Sequence, residues 1–278
     1  MPWKYTDEYY EEYTRTTWND AAEPYLAFMR RLRPAHQELI HRLSPKKGEA
    51  ILDLAAGPGE PAISIAQLVG ETGHVTGVDL SEKMVALATR AAADRAVTNV
   101  AFLLMNCERL ELPSDSFDAA VSAFGFQIFT NPEEAAKETL RVVKPGGRVA
   151  VCIWSTGDRV PFIDAIIGPM LDHAEPDESG YIPTPYEIGG KDEMIHFLEQ
   201  AGFESPTEAR VSHDFHFQDA EEYLSVLLRG TPIGHSLSEE STEVQEQVLA
   251  ATRSNLRRWT KEGGITVPGE CVFITARK

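Results

Sequence analysis

The sequence predicts an α/β fold: a doubly wound, seven-stranded, mostly parallel sheet with a helical N-terminal extension and a cap insertion. Three observations support this. Strand-like apolar runs alternate with helix-like runs from about residue 49 to residue 154. The stretch ILDLAAGPGEPA, residues 51–62, reads as a buried strand, a glycine turn and the start of a helix. Two more strand-like runs, Glu208–Phe217 and Glu270–Ala276, return after long helical stretches.

Residues 1–46 read as the helical extension, rich in aromatics including Trp3, Tyr5, Tyr13, Trp18, Tyr25 and Phe28. The core, residues 47–155, begins with a strand over Glu49–Leu54. It enters the turn Ala55-Ala56-Gly57-Pro58-Gly59, where glycines leave no Cβ to block a close backbone approach. A helix over Pro61–Val69 follows, apolar at Ala62, Ile63, Ile65, Ala66, Leu68 and Val69. His74–Asp79 is a second strand, and Ser81 caps a helix to about Arg95 with Glu82 on its first turn. Val100–Met105 and Phe117–Ala123 are the third and fourth strands, and Pro132–Val143 is a helix. Lys144-Pro145-Gly146-Gly147 is a turn introducing a fifth strand over Gly147–Trp154. Residues 156–190, with several Pro and Gly, form a cap insertion with short apolar segments at Phe162–Leu171 and near Tyr181 and Tyr186. Residues 191–278 complete the core around a helical insertion. There, a helix over Asp192–Gln200 is closed by Ala201-Gly202-Phe203. The sixth strand, helices at 219–230 and 238–262, and a last strand follow.

Composition narrows the function. The chain has 278 residues, 42% of them hydrophobic, and a net charge of 26 − 43 = −17. A phosphate backbone is recognised by Lys and Arg, so this balance argues against a nucleic-acid partner. Cys107, Cys152 and Cys271 are scattered and suggest neither a disulfide framework nor a zinc site. The opening MPWKYTDEYYEEY is polar and aromatic rather than signal-like, and no apolar run approaches the roughly 20 residues of a membrane span. The expectation is a cytoplasmic protein.

Ligand-binding residues are expected along the carboxyl edge of the sheet. Asp79 ends the second strand, where a carboxylate can accept both hydroxyls of a ribose. Leu80 and Met84 can sandwich a flat base. After the third strand, Asn106 can accept from an exocyclic amine and the Cys107 N–H can donate to a ring nitrogen. Gly57-x-Gly59-x-x-Ala62, with Asp79 about 20 residues on, also fits the dinucleotide pattern of NAD-binding proteins.

Four motifs in register, ILDLAAGPGEPA, VTGVDLSEKM, FLLMNCERLELPSDSFDAAVSAFG and LRVVKPGGRVAVCIW, resemble class I S-adenosylmethionine-dependent methyltransferases. They are closest to the ubiquinone/menaquinone-biosynthesis branch, and the likeness covers about residues 15–278. It implies a Rossmann-like methyltransferase fold with S-adenosyl-L-methionine as cofactor. It implies that Asp53 orients the glycine loop near the methionine amino group, with Ala55 in place of the motif's first glycine. Gly57 and Gly59 then admit the methionine and ribose, Asp79 binds the ribose, and Leu80 and Met84 flank adenine. Asn106, where the family usually has Asp, and Cys107 address the adenine edge, and Ser122 faces the methionine portion through its backbone. The LPSDSFD and LRVVKPGGR pair speaks against an NAD-dependent oxidoreductase.

The expected activity is in-line methyl transfer to a small organic acceptor, giving S-adenosylhomocysteine. The alternatives are a cofactor-binding protein with a pericyclic, lyase or structural role, and a macromolecular methyltransferase, which the acidity disfavours. No residue stands out as a catalytic base. His213 and His216 fall on opposite faces of one strand, and no metal is expected. The acceptor pocket is expected among Tyr13, Trp18 and Tyr25, the segment with Phe124, Phe126 and Gln127, and the cap insertion, with His235 in a loop that could overhang it.

Overall fold

The computed structural model describes residues 7–173 and 192–278, with side chains from residue 11 onward. Tyr181 and Tyr186 lie outside the described residues. The chain opens with α1 (Asp7–Arg31) and α2 (Arg33–Leu43). Strand β1 (Ala50–Leu54) is followed by α3 (Ala62–Val69), β2 (His74–Asp79), α4 (Glu82–Asp94) and β3 (Val100–Leu104). Then come β4 (Phe117–Ala123), α5 (Pro132–Val142), β5 (Val143–Trp154) and α6 (Pro161–Leu171). The remainder is α7 (Glu193–Ala201), β6 (Glu204–Phe217), α8 (Ala220–Gly230), α9 (Ile233–Ser238), α10 (Thr242–Leu256), β7 (Thr260–Lys261) and β8 (Gly264–Arg277).

The strand order is β3-β2-β1-β4-β5-β8-β6, with the short β7 paired to β8. The first five strands are parallel, and β8 runs antiparallel between β5 and β6. The order reverses between β1 and β4, so the crossover helices diverge there and open a crevice at the strands' carboxyl ends. Successive β1 residues face opposite layers: Ile51 joins the apolar layer containing Leu39, Ile65 and Phe162, and Leu52 the layer containing Ala136, Val151 and Leu198. Side-chain caps fix where the helices begin. Ser81 accepts from the Met84 N–H at 3.1 Å, Asn131 from Glu134 at 3.2 Å and Asp219 from Glu222 at 2.8 Å.

Several elements differ from expectation. Lys144-Pro145-Gly146-Gly147 lies within β5, where the pairing with β4 shifts register between Phe117 and Ala119. β6 and β8 each start earlier than expected, because they pair with each other along almost their whole lengths. The expected helix over 238–262 ends at Leu256, and Thr260–Lys261 turns back as an eighth strand. No helix among the described residues is long and apolar enough to cross a membrane.

Candidate active site

The loop after β1 turns tightly because Ala55 and Gly57 both take left-handed backbone, φ +55° and +52°. This aims the Gly57 N–H at Asp79 Oδ2, 2.8 Å away, while Asp79 Oδ1 accepts from the Ser81 N–H at 2.9 Å. The carboxylate is thus held between the β1 loop and the start of α4. Burial, only partly offset by these N–H donors, pushes its pKa up to about 6. Asp53 is fully buried. Its Oδ2 accepts from the Ala62 N–H at 3.0 Å, and its Oδ1 has no partner among the described residues. Burial holds its pKa well above the usual carboxylate range, and the charges of Glu60 and Asp79 push the same way.

Helix α1 lies over this loop and is tied to the far side of the cleft. Asn19 Oδ1 accepts from the Ser81 hydroxyl at 2.6 Å and the Lys83 N–H at 3.2 Å. Glu11 accepts from Asn106 Nδ2 at 2.8 Å and pairs with Arg109 at 2.6 Å. Asn106 Oδ1 also accepts from the Glu108 N–H at 2.8 Å, so both ends of this amide are engaged. Trp18 and Tyr25 pack edge to face, ring centroids 5.4 Å apart, and the phenol pKa of Tyr25 is raised by burial and by Asp79.

A cavity of about 540 Å³ runs from this loop into the apolar layer. Its polar end is lined by Ala55, Gly57, Asp79, Leu80, Met84, Asn106 and Cys107, together with Trp18 and Tyr25 of α1. Its other end is mostly apolar: Phe28 of α1, Leu32 at the α1–α2 turn, Trp154, and Ile163 and Ile167 of α6, with Thr231, Ser236 and Glu240 as its polar lining. Leu227, Ile233, Leu237, Val244 and Val248 of the α8–α10 segment close it. Phe124 and Gln127 also line the cavity, on a segment that meets Ala55 through Gly125 and Trp154 through the Phe124 ring and the Gln127 amide.

Other expected residues lie behind or outside the wall. Asp53, Gly59 and Ser122 support the loop from below; the Ser122 hydroxyl donates to the Leu54 carbonyl at 3.1 Å. Phe126 does not line the cavity, because the 3₁₀ turn Phe126–Ile128 rotates it into the core against Phe129. Tyr13 packs edge to face on His235 at 5.5 Å, and neither residue lines the cavity. His213 and His216 sit on β6, also away from it. The walls from α8 to α10 are not evident from the sequence. Those helices were legible as amphipathic segments, but periodicity does not say what their apolar face covers.

The model of the ubiE/COQ5 methyltransferase family matches residues 29–165. A demethylmenaquinone methyltransferase from Geobacillus kaustophilus is 28% identical over 195 residues, covering 66% of this chain and 82% of that protein. A ubiquinone/menaquinone biosynthesis C-methyltransferase from Azotobacter vinelandii is 34% identical over 128 residues, covering 46% of this chain and 49% of that one. The chain therefore spans only about half the length of that second relative. Among solved structures, the YcgJ protein of Bacillus subtilis superposes with a TM-score of 0.58 at 19% identity, covering 88% of this chain and 98% of that one, a likeness of fold. The family match ends within α6, so α8 to α10, which close the apolar end, lie outside it.

Proposed function

The chain belongs to the class I S-adenosylmethionine-dependent methyltransferases, in the ubiquinone/menaquinone-biosynthesis-like branch, and from that premise we propose that it methylates a small, largely apolar organic acceptor. One observation carries this reading: a single cavity joins a polar end on the β1–β2 loops to an apolar end under α6 and α8–α10.

The polar end suits S-adenosylmethionine. Each Asp79 oxygen accepts one backbone N–H and keeps a lone pair for a ribose hydroxyl. Leu80 and Met84 offer apolar contact to the adenine faces, with Cys107 and Asn106 along its edge. Asp53 Oδ1, buried and unpartnered among the described residues, is an acceptor beneath the Ala55–Gly57 loop, where a methionine ammonium would be held and would favour the ionised carboxylate. Gly59 and Ser122 act as supports, the first through its turn and the second behind the loop. When bound, S-adenosylmethionine supplies a methyl group already activated on a sulfonium. The chain's own contribution is to orient the acceptor against that methyl and to exclude water. Orientation of this kind can account for about 7–11 kcal/mol of barrier lowering.

The relatives' names specify quinone-type acceptors, and an apolar chamber is compatible with such rings. Because α8–α10 lie outside the family match, the acceptor is proposed only as a small apolar molecule. The acid excess supports a small molecule over nucleic acid, and the scattered cysteines support a cytoplasmic enzyme.

Parallel calorimetric titrations with S-adenosylmethionine, S-adenosylhomocysteine and NADH test this reading. Saturable binding of the first two and not the third is expected. Binding of NADH alone would overturn it. With an acceptor supplied, formation of S-adenosylhomocysteine distinguishes methyl transfer from a role that leaves the cofactor intact.

A further inference from the structure

We propose that Gln127 selects the acceptor: its carboxamide directs N–H donors into the junction of the two cavity ends, so the favoured acceptor is an apolar body bearing a hydrogen-bond-accepting oxygen. This deepens, and rests on, the reading of the cavity as a methyl-acceptor site.

The orientation of the amide follows from one contact. Gln127 Oε1 accepts from the Trp154 backbone N–H at 2.9 Å. A backbone N–H can only donate, so the oxygen must face Trp154 and the amide nitrogen must face away. Among the described residues that nitrogen donates to no protein acceptor, and it is not sealed from contact. Gln127 lines the cavity, so its two N–H groups remain for a bound molecule.

The segment carrying Gln127 is firmly held. Phe124 has left-handed backbone, φ +62°, unusual for an aromatic residue. It is kept there by donation to the Cys152 carbonyl at 2.7 Å and by stacking on Trp154 at 4.5 Å. A Cβ on Gly125 would stand 2.9 Å from Ala55 Cβ and 2.6 Å from Ser122 Oγ, so the turn is pressed against the glycine loop. Ile128 N–H closes the turn on the Gly125 carbonyl at 2.9 Å. The donors are therefore placed where the loop meets the apolar chamber.

Two hydroxyls of the α8–α9 wall are directed elsewhere. Thr231 donates to the Leu227 carbonyl at 2.6 Å and Ser236 to the Pro232 carbonyl at 3.4 Å. An acceptor without an oxygen would strip water from the Gln127 N–H groups and return nothing, which is how a donor covered by its ligand discriminates.

The test uses the full chain saturated with S-adenosylhomocysteine at pH 8 and three probes of one shape: 2-acetylnaphthalene, 2-ethylnaphthalene and 2-(aminomethyl)naphthalene. Gln127→Glu keeps an oxygen for the Trp154 N–H and replaces the donors with a carboxylate oxygen. Gln127→Met removes both groups. The wild type is expected to bind the acetyl probe about tenfold more tightly than the ethyl probe. The Glu variant should lose that preference and favour the ammonium probe. The Met variant should bind acetyl and ethyl alike. Affinity for S-adenosylhomocysteine should change less than about threefold in either variant, a readout that a collapsed site would not preserve. Cofactor-product binding without an acetyl preference in the wild type, or with a preference the Glu variant keeps, overturns the role of Gln127 alone. Absence of S-adenosylhomocysteine binding overturns the methyltransferase reading of the cavity as well.

Discussion

Asp79 makes cofactor binding depend on pH in a calculable way. Its carboxylate can accept two ribose hydroxyls only when ionised, and its pKa in the ligand-free protein is pushed up to about 6. Protons therefore compete with the ligand. The apparent dissociation constant should be only about 1.1 times its limiting value at pH 7, but about 11 times that value at pH 5. The predicted loss is about tenfold, or about 1.4 kcal/mol. Calorimetry with S-adenosylhomocysteine between pH 5 and 8 measures it, since the ligand has no group of its own titrating between pH 5 and 7. Buffers of different ionisation enthalpy would report about half a proton released per binding event near pH 6. Asp79→Asn should bind weakly at every pH and lose the tenfold part of the slope that belongs to Asp79, leaving only the part that Asp53 contributes. Flat affinity from pH 7 to pH 5, or the same slope in the Asn variant, would refute the reasoning.

Two further predictions concern the loop and the helix above it. Gly59 has φ +109°, and a Cβ there would stand 2.7 Å from Ile63 Cδ1 and 3.3 Å from the Ala88 backbone. Gly59→Ala should therefore cost about 1–3 kcal/mol in denaturant unfolding, and an unchanged midpoint would remove the strain argument. Glu11→Gln keeps an acceptor for Asn106 but loses the ion pair with Arg109. That pair is largely exposed, so global stability should shift by less than about 1 kcal/mol. Hydrogen exchange at the start of α1 should nevertheless rise in the ligand-free protein, and unaltered protection would show that this contact does not hold the helix down.

Much of the polar end was legible in the sequence because local chemistry determines it. A fully buried strand, two small residues with left-handed backbone and an acid ending the next strand are features of single short segments. The acceptor end is set by tertiary placement. Val244 and Val248 stand four apart on a helix and read as an apolar stripe, yet only packing makes that stripe a cavity wall. Phe126 and Gln127 look interchangeable in sequence; a 3₁₀ turn sends the first into the core and leaves the second at the cavity. β5 is longer than its sequence suggests, because Lys144-Pro145-Gly146-Gly147 has the composition of a turn while sheet pairing absorbs it as an irregularity.

The polar end also gives up stability for function, and Asp53 is where this can be measured. Its folded pKa lies well above the ordinary value, chiefly through burial. A raised carboxylate contributes full stability below its unfolded pKa and loses that contribution as pH rises through the folded pKa. For Asp79, the rise from 3.8 to about 6 corresponds to roughly 3 kcal/mol lost between acid and neutral pH. Asp53 should lose stability in the same direction, with Oδ1 buried and unpartnered among the described residues. Asp53→Asn keeps an oxygen for the Ala62 N–H and removes the titrating charge. The ligand-free variant should accordingly gain about 1–3 kcal/mol relative to wild type at pH 8. That gain should shrink toward zero in acid, where Asp53 is protonated. Affinity for S-adenosylmethionine should fall at least about tenfold, because an amide cannot ionise opposite the bound ammonium. Denaturant midpoints at pH 5 and pH 8, with calorimetry at pH 8, separate the effects. A variant equally destabilised at both pH values would mean that the charge imposes no stability cost. Undiminished cofactor affinity would mean that the charge serves no binding role.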